Sequence, residues 1–217
     1  KSSPFHITTH DGKYNFAILF SDPKPNTFFI IFPVFFWLGF FIALLVFINS
    51  TAGWLSGRGR PYLALTGTFC AVILIYAILI FSNVPPSIQS TKLFSPFIFS
   101  IGKIIPSIGY LFILSILLLD FAYVYFKYTP DLKITEQEGY GYVLLAAALL
   151  IIALLVFILI NYVFKKLVID SSANFEAYKI LDVNLVSVVG IVSVLFLLII
   201  PAIIILKAYK MMSLLPA

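Results

Sequence analysis

Residues 141–164 read GYVLLAAALLIIALLVFILINYVF. The run holds no Asp, Glu, Lys, Arg or His. A helix of this length rises about 36 Å, enough to cross a hydrocarbon core of about 30 Å. Lys165 and Lys166 follow at once, at the negative end of the helix dipole. Such a stretch is at home only in lipid, where a helix satisfies every backbone polar group internally.

Working outward, the same pattern recurs at 28–50, 62–84, 104–126 and 185–206. Pro33 lies near the start of the first span and Pro106 in the first turn of the third, where a missing N–H costs least. Pro85 and Pro86 end the second span, and Pro201 is expected to kink the last third of the fifth. The spacing predicts an all-α, polytopic integral membrane helical bundle of about five transmembrane helices over residues 28–217, behind a polar tail over 1–27. Composition agrees. The 217 residues are 62% hydrophobic and 11% charged, against about 45–50% apolar and about 25% charged in a soluble domain. No internal repeat stands out, and an odd number of spans does not support the inverted duplication common in transporters.

The connections differ in character. In the tail, Asp11-Gly12 lies between Ile7-Thr8-Thr9 and Tyr14-Asn15-Phe16, a pattern that suits a tight hairpin turn. A hairpin and a disordered tail are both left open. The run Phe94 to Ile101 is too short to span and reads as an interfacial or re-entrant piece, with Phe94, Phe97 and Phe99 at the headgroup boundary. Residues 127–140 carry Asp131, Lys133, Glu136 and Glu138 and read as a solvated loop. Residues 167–184 mix charges with apolar side chains and are expected along the interface.

Two sets of small residues mark helix-packing faces, because small side chains let backbones approach closely in lipid. One is Ala64, Gly67, Thr68 and Ala71 in the second span. The other is Ser187, Gly190 and Ser193 in the fifth.

Candidate chemistry is sparse. The two histidines, His6 and His10, lie in the tail and read as a solvated pair, so the spans hold no imidazole for haem, copper or zinc. No H-E-x-x-H, P-loop or G-x-S-x-G motif occurs, and no span holds a pair of acids. The reading is therefore no enzyme, no metal and no cofactor. Asp120 is the one acid well inside a span. An intramembrane acid is costly, about 2.5–3.5 kcal/mol on insertion scales, and usually faces protein or water. It reads either as a structural acid, the favoured reading, or as an ion or proton site with Tyr123 one turn on as a donor. Asn49 and Asn161 sit close enough to a span exit to read as headgroup contacts, and the lone Cys70 pairs with nothing in the chain.

The net charge of +5 flanks the apolar runs, which points to lipid headgroups and not to nucleic acid. Lys and Arg divide eight against six between the two sides. Arg58 and Arg60 in the shortest connection tip the orientation towards the N-terminus outside and the C-terminus inside. The start at Lys1 shows no signal-peptide pattern, and a removed leader or a trimmed start is expected. The expected partners are membrane lipids and other membrane subunits. The favoured function is a non-catalytic subunit or accessory component of a larger membrane complex. The alternatives are a small transporter or channel using Asp120, and the membrane input module of a sensor or receptor.

Overall fold

A computed structural model of the chain describes residues 5–8, 14–18, 27–82, 86–89, 91–128, 139–169 and 185–213. Two short strands open it, β1 (Phe5–Thr8) and β2 (Tyr14–Ile18). They pair antiparallel, with Phe5 opposite Ile18, Ile7 opposite Phe16, and an irregularity between Ile7 and Thr8. The hairpin alternative for the tail is thus the one found; the Asp11-Gly12 turn itself lies outside the described residues.

Five long helices follow: α1 (Thr27–Gly57), α2 (Pro61–Ser82), α4 (Ile108–Tyr128), α5 (Gly139–Ile169) and α6 (Leu185–Met212). A single short turn, α3 (Pro86–Gln89), comes between α2 and α4. All five long helices are long and apolar enough to cross a membrane, so the chain is a multi-pass membrane protein with an all-α bundle. α1 runs past the expected end at Ser50 to Gly57. Its polar residues there bond within the helix: the Thr51 hydroxyl donates to the Phe47 carbonyl at 2.8 Å, and Asn49 Nδ2 to the Leu45 carbonyl at 3.1 Å.

α4 starts later than expected, at Ile108 instead of 104. Ile101 and Ile105 form an isolated antiparallel bridge around Gly102, whose φ of +60° suits glycine. Pro106 follows the bridge, and Ser107 then caps the helix, its Oγ accepting from the Tyr110 N–H at 3.5 Å.

α4 is the central helix. It packs against α1, α2 and α6, while α5 is held chiefly by α6. Gly109, Ser115 and Ala122 are all buried on α4, and their small size lets neighbours approach. Two apolar clusters flank it. One joins Phe41, Val72, Tyr76, Ile88, Phe94, Tyr110 and Leu117 from α1, α2 and the α2–α4 connection. The other joins Phe99, Ile108, Leu111, Ile160, Leu167, Val186 and Leu197 from that connection, α5 and α6.

The α2–α4 connection closes one end of the bundle. It contains a 3-10 turn, Lys92–Phe94. Phe94 and Phe99 turn inward to the protein, unlike side chains that face lipid headgroups. Both are buried, Phe99 to 2% exposure, because the segment folds back onto the helix ends. Phe97 alone of the three points outward, at 93% exposure. The Tyr76 hydroxyl fixes the return by donating to the Ile104 carbonyl at 2.6 Å. The opposite end is smaller. There Ala52, Ala64 and Val124 pack with Leu55 and Tyr128. α5 extends to Ile169, with Leu167 fully buried, so the start of the expected interfacial segment is helix; residues 170–184 lie outside the described residues.

Candidate functional site

The polar centre of the bundle lies where α1 meets α4. Asn49 is eight residues from the end of α1 and Asp120 eight from the end of α4, so the two stand at similar depth, about 12 Å from the helix ends. Asn49 Nδ2 donates to Asp120 Oδ1 at 2.5 Å. The second hydrogen of that amide goes to the Leu45 carbonyl. Asn49 Oδ1 and Asp120 Oδ2 are both buried, and among the described residues neither meets a hydrogen-bond donor. Each side chain of the pair thus keeps one acceptor oxygen unsatisfied, while both N–H groups of the Asn49 amide are used.

Tyr123 does not join this pair. Its hydroxyl accepts from Lys127 Nζ at 2.9 Å, and Lys127 lies 5.2 Å from the Tyr123 ring centroid and 5.1 Å from that of Tyr128. This is an exposed cation held between aromatic rings near the helix end. Arg58 makes a matching arrangement 3.6 Å over the Trp54 ring. Trp54, Arg58, Tyr123 and Lys127 make this end of the bundle a belt of aromatic and positive groups of the kind found at a membrane–water boundary.

The small residues separate into inward and outward sets. Ala64 and Thr68 are buried, in a stripe continued by Val72 and Tyr76 at spacing four, and Ala71 is half-buried. Gly67 is exposed, and a Cβ there would meet nothing within 4 Å. It stands on the outer face with Thr66 and Cys70, both exposed. On α6, Ser187, Gly190 and Ser193 are all buried, and the Ser193 hydroxyl donates to the Val189 carbonyl at 2.6 Å.

The grooves beside these features are lined mainly by apolar side chains. The groove between α5 and α6, about 480 Å³, is lined by side chains such as Leu150, Phe157, Leu198 and Pro201. The crevice of about 300 Å³ between α1, α4 and the α2–α4 connection includes Trp37, Phe41 and Ile113. Neither contains Asn49 or Asp120. Among the described residues no group of three His, Cys, Asp or Glu could hold a metal. His6 lies in β1, and His10 is outside the described residues.

The sequence singles out Asp120 but not its partner. Asn49 reads as a headgroup contact because a span ending at Ser50 puts it one residue from the exit. No family model, curated protein or solved structure matches the chain.

Proposed function

We propose that the chain is a non-catalytic, membrane-embedded subunit of a larger membrane complex. The observation that carries this reading is the outer face of α2. Thr66, Gly67 and Cys70 form a small-residue notch open to the outside, although the inner face of the same helix is already packed. Thr66 donates its hydroxyl to the carbonyls of Tyr62 and Leu63, so that side chain is held against its own helix. Such a surface suits close approach by a transmembrane helix of another chain. The apolar grooves support the same reading, since a transport path needs polar groups along its length.

Extraction into native lipid nanodiscs tests it. A heteromeric particle larger than one chain is expected, and Gly67→Leu should release the partner while leaving the melting of the isolated chain unchanged. A monodisperse, single-chain particle would count against the reading.

The unsatisfied oxygens of Asn49 and Asp120 favour a second reading, in which Asp120 couples the movement of protons or small cations. Flux in proteoliposomes that is abolished by Asp120→Asn would support it.

A further inference from the structure

The hydrogen-bond inventory of Asn49 and Asp120 is short by one proton. An amide side chain offers two N–H donors and a carbonyl oxygen, and an ionised carboxylate offers only acceptors. Both N–H groups are used, one on the Leu45 carbonyl at 3.1 Å and one on Asp120 Oδ1 at 2.5 Å. The two remaining atoms, Asn49 Oδ1 and Asp120 Oδ2, are both acceptors and both buried without a donor. Turning the amide over does not help. It would set Asn49 Oδ1 against two other acceptors, the Leu45 carbonyl and Asp120 Oδ1.

We propose that Asp120 resides in the membrane as a neutral carboxylic acid whose Oδ2–H donates to Asn49 Oδ1, closing a two-bond acid–amide pair that clamps α1 to α4. One proton makes Oδ2 a donor, and both orphaned oxygens are then satisfied together. The ligand of this site is a proton. It enters as a solvated proton, forms the O–H bond on Oδ2 and cancels the carboxylate charge. No other atom or electron is involved.

Two other occupants fit less well. A sodium or potassium ion needs a shell of several oxygens, and here an amide N–H already points at one of the few available. A water molecule could bridge the two orphaned oxygens, but it would leave a carboxylate in an apolar interior without a counter-charge, the costliest state for the group. Of the elements packed on α4, α1 carries no titratable group. α2 carries Tyr62, Cys70 and Tyr76, the 3-10 turn Lys92, and α6 Lys207, Tyr209 and Lys210. α4 itself carries Tyr110, Tyr123, Tyr125, Lys127 and Tyr128. None of these is hydrogen-bonded or ion-paired to Asp120, whose sole polar partner among the described residues is Asn49. The inference depends on neither reading of function.

Infrared spectroscopy of the full chain in nanodiscs, paired with thermal melting, tests it. At neutral pH the wild type should show a carboxylic-acid C=O band that disappears in Asp120→Asn. The Asp120→Asn chain should nevertheless melt within about 2 °C of wild type, since an amide at 120 has the shape of the neutral acid and can form the same two bonds. Asp120→Leu should melt lower by about 3–8 °C, because it strands the Asn49 amide. In Asn49→Leu the acid band should move to the position of an acid with no carbonyl partner. Should that variant not fold, the comparison of wild type with Asp120→Asn still decides the matter. Absence of the acid band in the folded wild type would overturn the proposal. So would a band unmoved by Asn49→Leu, or a melting temperature that climbs when sodium or potassium replaces a bulky organic cation at constant ionic strength.

Discussion

Gly109 and Gly53 are both glycines pressed by an aromatic side chain, yet they should respond differently to the same substitution. A Cβ at Gly109 would lie 2.7 Å from two ring carbons of Phe94. Phe94 is buried and stacks edge-on to Tyr110 at 5.6 Å, so its ring has little room to yield. Gly109→Ala should therefore cost about 1–3 kcal/mol, the usual range for overpacking. Truncating the ring by Phe94→Leu in the same chain should recover part of that loss, a coupling that a double-mutant melting cycle would measure. At Gly53 the added Cβ would lie 2.9 Å from the Tyr128 hydroxyl, the far end of a flexible side chain at a helix terminus. Gly53→Ala should shift the melting temperature little, and not at all in a Tyr128→Phe background. Equal losses at the two glycines would contradict this account of the α2–α4 connection as a rigid plug.

At the scale of elements, the α2–α4 connection is the part whose role rests on tertiary contact. Its two inward phenylalanines belong to different clusters: Phe94 packs with α1 and α2, and Phe99 with α5 and α6. Phe99→Ala should destabilise the chain by about 3–5 kcal/mol, as for other buried phenylalanines. Phe97→Ser should leave melting nearly unchanged, because Phe97 touches almost nothing. A larger loss at 97 than at 99 would reverse the assignment. The sequence makes all three phenylalanines look alike, since a short irregular segment has no period from which to read a face. The long helices were legible for the opposite reason. Their length and apolarity answer to the bilayer, not to a neighbour. Their ends were less so: Asn49, Ser50 and Thr51 read as an exit although Asn49 and Thr51 each donate to a carbonyl one turn back and α1 continues for two more turns. That misplaced end hid the partner of Asp120, while Asp120 itself stood out as the one acid within a span.

At the scale of the whole molecule, the two ends of the bundle can be told apart, and this allows a sharper test of orientation than a count of charges. The end of α1, the start of α2 and the end of α4 meet through Ala52, Ala64 and Val124. The end of α5 and the start of α6 meet the α2–α4 connection through Leu167, Val186, Phe99 and Ile105. α6 therefore finishes at the end that carries Arg58 and Arg60. Described Lys and Arg residues are nearly balanced between the ends, so their number decides little. Compactness decides more: Arg58 and Arg60 sit in a three-residue connection, and short connections carry the positive-inside signal most strongly. This argument predicts the Arg58 end on the cytoplasmic side and Phe97 on the opposite side. The sole cysteine is Cys70, so a Cys70→Ala chain provides a clean background for labelling. Cysteines introduced as Phe97→Cys and Gly57→Cys occupy exposed positions at opposite ends, and neither replacement disturbs packing. A membrane-impermeant maleimide applied to intact cells should label position 97 and reach position 57 only after the membrane is opened. Labelling of 57 but not 97 in intact cells would invert the orientation, and would place Asp120 nearer the outer surface than the cytoplasmic one.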